Sequence, residues 1–90
     1  MKRAIITVVG KDTVGIIASV CGYLADKKIN ILDISQTIVD GYFNMMMITD
    51  VSKASQEIAQ ISKELNQKGQ DMGLVIHCQH EDIFNKMHRI

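Results

Sequence analysis

This chain of 90 residues has no proline, no tryptophan and only two cysteines. Without proline or an excess of glycine, collagen-like and low-complexity chains are excluded. An apolar content of 47% against 22% charged residues excludes intrinsic disorder as well. Cys21 and Cys78 share no C-x-x-C spacing, so they read as reduced, buried thiols of a cytoplasmic protein. Neither sign of charge is in excess. Ten basic side chains cancel ten acidic ones, which removes the electrostatic footprint that nucleic acid or an anionic membrane requires. Long apolar runs are missing too: Ala4 to Val9 is too short for a signal sequence or a membrane span. What remains is one small soluble domain. A chain of this length buries about 60–65% of its unfolded surface, a thin margin that a second copy would widen.

What is present begins with VVGKDTVGII at positions 8–17. Four residues separate Gly10 from Gly15, as in the G-x-x-x-x-G-K-[ST] phosphate loop. Ile16 and Ile17 stand where that loop needs Lys and Ser/Thr, so the phosphate chemistry is excluded. A glycine-bracketed turn is left, between a strand and a helix.

The β-branched run Arg3 to Val9, ending at Gly10, predicts a buried strand. Thr13 to Lys28 predicts a helix capped by Asp12 or Thr13, with Val14, Ile17, Val20, Cys21 and Leu24 on its buried face. Gly15, Ala18, Gly22 and Ala25 form a small-residue stripe beside that face, suited to a closely packed neighbouring helix. Asn30 to Val39 alternates, with Leu32, Ile34 and Ile38 on one side and Asp33, Ser35 and Thr37 on the other. Asp40-Gly41 signals a hairpin, and Tyr42 to Val51 returns with apolar residues in both phases, as a central strand would. Ser52 or Ser55 is expected to cap a second helix burying Ile58, Ile61 and Leu65, with Gly69 as its stop. Met72 to Cys78 is the fourth strand. Residues 81–90 form a helical tail, with Ile83, Phe84 and Met87 as its contacts.

The order βαββαβ with right-handed crossovers implies an α+β, ferredoxin-like sandwich. Its antiparallel sheet is ordered 4-1-3-2, both helices lie on one face, and a short C-terminal helix follows. Residues 1–80 make the domain and residues 81–90 pack on it. The sheet face without helices carries apolar atoms and wants a cover, a second argument for a homodimer.

Such a fold does not choose a function. A metal carrier would place C-x-x-C in the first loop, and an acylphosphatase-like enzyme would need an arginine there. This loop has neither, since Arg3 and Arg89 are the only arginines. An RNA-recognition domain needs rings on its third strand. Gly41-Tyr42-Phe43-Asn44 echoes that motif weakly, but Asp40 stands where a basic residue belongs and methionines follow. Met45-Met46-Met47 suits a core or a dimer face. His77 faces away from Cys78 and His80 on a strand, so no metal set forms. No nucleophile stands in an activated setting. Neither catalysis nor a cofactor is expected.

VVGKDTVGIIASV at 8–20 and LADKKINILDISQ at 24–36 resemble the ACT domain, a small regulatory module that senses amino acids. Asp12-Thr13-Val14-Gly15 matches that family's D/N-x-P-G turn, with Val14 in place of the proline, and Asn30-Ile31 matches the opening of its second strand. The whole layout, with the tail IFNKMHRI at 83–90, is similar to the uncharacterised free-standing single-ACT-domain proteins. The resemblance implies a ligand site formed by Gly10, Asp12, Thr13, Val14, Gly15, Asn30 and Ile31. Asp12 would meet the ammonium of an amino acid. The amides near Val14 and Gly15 would meet its carboxylate, and Asn30 would complete the site, often across a subunit interface. Glycine at both ends of the turn keeps side chains away from the helix start, where free amides and the helix dipole receive anions. The alternative is a ligand-free module that docks on an enzyme or regulator. Asp12 and Asn30 would then be caps, and Gly15 a packing residue.

Overall fold

The computed structural model describes residues 2–11 and 15–87. Its elements are β1 (Arg3–Lys11), α1 (Ile16–Asp26), β2 (Asn30–Val39), β3 (Tyr42–Asp50), α2 (Ile58–Met72), β4 (Leu74–His80) and α3 (Glu81–Met87). The four strands form one antiparallel sheet ordered β2-β3-β1-β4, the expected order. Strand alternation sorts the side chains. Ala4, Ile6 and Val8 of β1 are buried under the two long helices, with Phe43, Met45 and Met47 of β3 and Leu74, Ile76 and Cys78 of β4. Thr49 shares that phase, and its hydroxyl donates to the Ala4 carbonyl at 2.8 Å, which satisfies a fully buried polar group. The opposite phase holds Val9, Tyr42, Met46 and Val75, all exposed. Asp40 and Gly41 both have positive φ and close the expected β2–β3 hairpin.

Both long helices differ from their sequence expectations at the ends. α1 starts at Ile16 with Gly15 as its N-cap, not Asp12 or Thr13, and no side chain caps it. Its buried face is Ile16, Val20 and Leu24, an i, i+4, i+8 row. Ile17, expected inside, is 40% exposed. The buried row centres on Val20, and Ile17 lies about 60° round the helix from that centre, at the edge of the buried face. At the other end Lys28 takes a left-handed φ of 61°. Its amide bonds the Ala25 carbonyl and the Ile29 amide bonds that of Leu24, a Schellman closure made without glycine.

Neither Ser52 nor Ser55 caps α2, whose N-cap is Glu57. Ser52 instead donates from its amide and hydroxyl to Asp50 Oδ1 and accepts the Lys2 amide at 2.8 Å. Gly69 is no stop: it lies buried within α2, and Gly73, with φ of 73°, ends the helix. A Cβ on Gly69 would sit 2.9 Å from both the Leu74 carbonyl oxygen and Ile76 Cγ1. Its glycine therefore marks a close approach of helix to strand. β4 accordingly begins at Leu74, two residues later than expected, and runs on to His80. α3 lies against the ends of β1 and β4. Its Ile83, expected as a packing contact, is 53% exposed, and the side chains of Phe84 and Met87 lie outside the described set.

Candidate functional site

The glycine-bracketed turn sits where β1 hands over to α1. Gly10 lies in the sheet, level with Phe43 on one side and Leu74 on the other. A Cβ there would fall 2.5 Å from Leu74 Cδ2 and 3.3 Å from the Gly73 carbonyl oxygen. Packing therefore favours glycine here, since a side chain would displace Leu74 and crowd the Gly73 carbonyl. Gly15 differs. Its φ of 89° strains any L side chain, yet a Cβ would meet nothing within 4 Å. The Ser19 amide bonds the Gly15 carbonyl at 2.9 Å, so the helix ladder starts there. The amides before Ser19 have no intrahelical carbonyl to bond. Asp12, Thr13 and Val14 lie outside the described residues.

Asn30 and Ile31 open β2 at the other end of the sheet. Asn30 is level with Asp50 of β3, and Ile31 with Thr49. Gly10 is level with Phe43, seven residues along the same strand (50 minus 43). At about 3.3 Å per residue and about 5 Å per strand spacing, Gly10 and Asn30 of one chain stand about 25 Å apart. Gly10 and Gly15 flank one turn, and Asn30 and Ile31 adjoin each other. One copy does not bring the two pairs to a common ligand.

The strongly shifted titratable groups owe their shifts to packing and hydrogen bonds. Glu64 of α2 is held at about 2 by the amides of Gln60 and Gln56 and the Tyr23 hydroxyl, with help from the Lys27 charge. The three hydrogen bonds measure 2.9, 2.9 and 2.6 Å, and Lys27 Nζ lies 3.9 Å away. The Tyr23 hydroxyl is pushed above its ordinary range by burial and by Glu64. This cluster fastens α1 to α2. Sequence reasoning missed it because Tyr23 and Glu64 are 41 residues apart. Burial pushes the Cys78 thiol up to about 11, so it carries no thiolate at neutral pH. His77 is exposed on the open sheet face and Cys78 is buried beneath the helices. Among the described residues no three of His, Cys, Asp and Glu are grouped to hold a metal ion. Nor is any described helix long and apolar enough to cross a membrane.

The sheet order agrees with the family comparison, in which the ACT domain pattern matches residues 2–79. The chain belongs to the ACT domain family. A UPF0237 protein of Bifidobacterium longum is 59% identical over 90 residues, covering all of both chains. Among solved structures, an ACT domain protein from Streptococcus pneumoniae superposes with a TM-score of 0.81 at 43% identity, covering 92% of this chain and 93% of that one. The fold also recurs inside larger proteins. A formyltetrahydrofolate deformylase from Pseudomonas syringae gives a TM-score of 0.82 at 17% identity, over 89% of this chain but 28% of the enzyme. That last likeness is one of fold alone. These ACT relatives include single-domain chains of this length, which matches the free-standing layout seen in the sequence.

Proposed function

We propose that this ACT domain is a homodimeric regulatory module of the cytoplasm that binds a small amino acid or similar zwitterion between two copies. The observation that carries this reading is the separation of Gly10 and Gly15 from Asn30. β2 is an edge strand, antiparallel to β3, so a two-fold pairing of β2 with β2 of a second copy runs antiparallel. Centred on Ser35, with the register shift between Ile31 and Asp33 carried across, it sets Asn30 opposite Val39 of the second copy, and Val39 is level with Tyr42 and Lys11. The distance from Asn30 to the turn then falls from about 25 Å to three strand spacings, about 15 Å. Two side chains and an amino acid fill that gap. Asp12 would take the ammonium, the amides near Val14 and Gly15 the carboxylate, and Asn30 with Ile31 of the other copy would close the site. Thr13 would fix the turn.

Exposure along this edge supports the pairing. Ile34 and Ile38 are level with the buried Met47 and Phe43, yet they are 43% and 60% exposed because neither helix reaches the edge. Gly15, Ala18, Gly22 and Ala25 all face outward on α1, and no atom lies within 4 Å of a Cβ built at Gly22. The helix neighbour expected for this stripe is absent from the described chain and would come from the second copy. In this reading residues 1–80 form the binding unit and residues 81–90 a tail packed on it. The module acts by binding and not by catalysis, and takes no cofactor, metal, nucleic acid or membrane.

A ligand-free module that docks on an enzyme or regulator is the second reading, and it draws on Gly10, where packing already favours glycine. Calorimetry of the full chain against the common amino acids, with sedimentation in parallel, separates the two. A dimer that gives saturable heat with one or a few amino acids supports the sensor. A dimer silent to all of them at millimolar concentration leaves the docking module, and a monomer removes the shared site.

A further inference from the structure

A cavity of about 520 Å³ lies far from the glycine turn, where β4 ends, α2 begins and α3 folds across. That volume is within the range of about 300–1,000 Å³ typical of small-molecule sites. Its walls are apolar, from Ile58 and Ala59 of α2, Cys78 of β4 and Ile83 of α3. This location explains why Ile83 is exposed: it overhangs a cleft instead of closing on the core. Four residues with side-chain N–H or O–H donors also line the cleft, Lys2, Ser62, Gln79 and His80. His80 is level with Ala4 in the strand phase that faces the helices, and Lys2 immediately precedes β1. Among the described residues the Lys2 ammonium makes no ion pair. His80 Nδ1 accepts the Asp82 amide at 3.1 Å, so the proton of the neutral ring sits on Nε2, a donor. Glu57, also on the lining, is exposed and balances the charge of Lys2.

We infer that this cleft is a second binding site, for a small monoanionic carboxylate with a branched or aromatic apolar body. Lys2 and His80 Nε2 can only donate, whereas Glu57 alone can only accept, which selects an anion, and Glu57 leaves no surplus positive charge to hold a dianion such as phosphate. The apolar walls select the body of the ligand. An amino group gains little, since the one carboxylate on the lining is exposed to water.

The test is a titration of the nitrogen-labelled full chain, followed by amide shifts, with isocaproate, its uncharged alcohol isohexanol, and leucine. These share one branched body and differ in charge. The expected result is saturable shifts at Ala59, Ser62, His80 and Ile83 with isocaproate, at least tenfold weaker with isohexanol and with leucine. Lys2→Met should weaken isocaproate at least tenfold, and Ala59→Leu, which fills the cleft from an exposed position, should abolish the response. Both positions are exposed, so the variants fold, and the amide spectrum verifies this. No shift at these residues at millimolar isocaproate overturns the inference. So does equal binding of the alcohol or of leucine, or indifference to both substitutions. The Gly10, Gly15 and Asn30 amides report separately, so failure here leaves the amino-acid reading untouched, and the reverse holds too.

Discussion

The two edges of the sheet are treated in opposite ways by the same chain. β4 has seven residues, and Leu74, Ile76 and Cys78 are buried beneath α2, which comes down close enough to require Gly69. α3 then crosses its end. β2 has ten residues, and only Ile31 is even half-buried. An edge strand that long, carrying Leu32, Ile34 and Ile38 in the open, is a template for another strand. One edge is closed by the chain's own elements. The other is left exposed, and the proposed pairing of two copies rests on that difference.

The strongest way to break this comparison is to reopen the closed edge. Gly69→Leu drives a side chain into the Leu74 carbonyl and Ile76, and backbone cannot swing aside as a flexible side chain can. Overpacking of this kind should lower unfolding stability by about 3 kcal/mol, read from the urea midpoint. A variant as stable as the parent would mean that the helix–strand approach is looser than drawn here.

The open edge is probed by Ile34→Lys with Ile38→Lys. Both side chains are already exposed, so the monomer should keep its stability to within about 0.5 kcal/mol. In that pairing the lysine at 34 lies diagonally across the axis from its own copy and the lysine at 38 faces Ile31 of the second copy, so like-charge repulsion and lost apolar contact should weaken dimerisation by about 2 kcal/mol, or thirtyfold. Sedimentation equilibrium measures this. Unchanged association moves the interface to the open sheet face.

How far the sequence reveals this asymmetry depends on where the decisive contacts lie. Periodicity is a local signal, and it carried the element order, the sheet order and the Asp40-Gly41 hairpin. Gly69 was misread as a stop because a helix-ending glycine and a glycine pressed against a strand look alike until the strand is in place. The same holds for Ser52, a good cap by type, which bonds Asp50 and Lys2 instead. The register shift between Ile31 and Asp33 leaves no sequence mark. Of the candidate site, the turn and the strand opening were readable as segments. That they lie at opposite ends of the sheet follows only from the pairing register. The cleft lined by Lys2, Ser62 and His80 joins residues from three distant segments, and no spacing announces it.

Between the edges, the clamp on Glu64 tests how firmly α1 is held to α2. Tyr23→Phe removes a 2.6 Å hydrogen bond and should cost about 1 kcal/mol. The pH dependence has a definite sign. Glu64 is held at about 2, below its ordinary 4.5, so its stabilisation is complete above about 4.5 and fades as pH falls toward 2. Glu64→Gln should flatten that window in acid unfolding curves. A parent-like acid limb in that variant would show that other carboxylates govern it.

The smallest effect concerns the turn that leads from α1 into the open edge. Lys28 holds a φ of 61° where most helices place glycine, and its neighbour Ile29 is buried. Lys28→Gly relieves the left-handed strain but frees the unfolded chain, so the net gain should be about 0.5 kcal/mol. The Lys28 side chain is exposed, so the substitution removes no packing. A thermal melt shifted upward while the dimer constant stays fixed would show that the Schellman turn only steers the chain into β2. If Lys28→Gly instead weakens the dimer, the lysine side chain contributes to the partner surface, and the interface extends past the strand opening at Asn30.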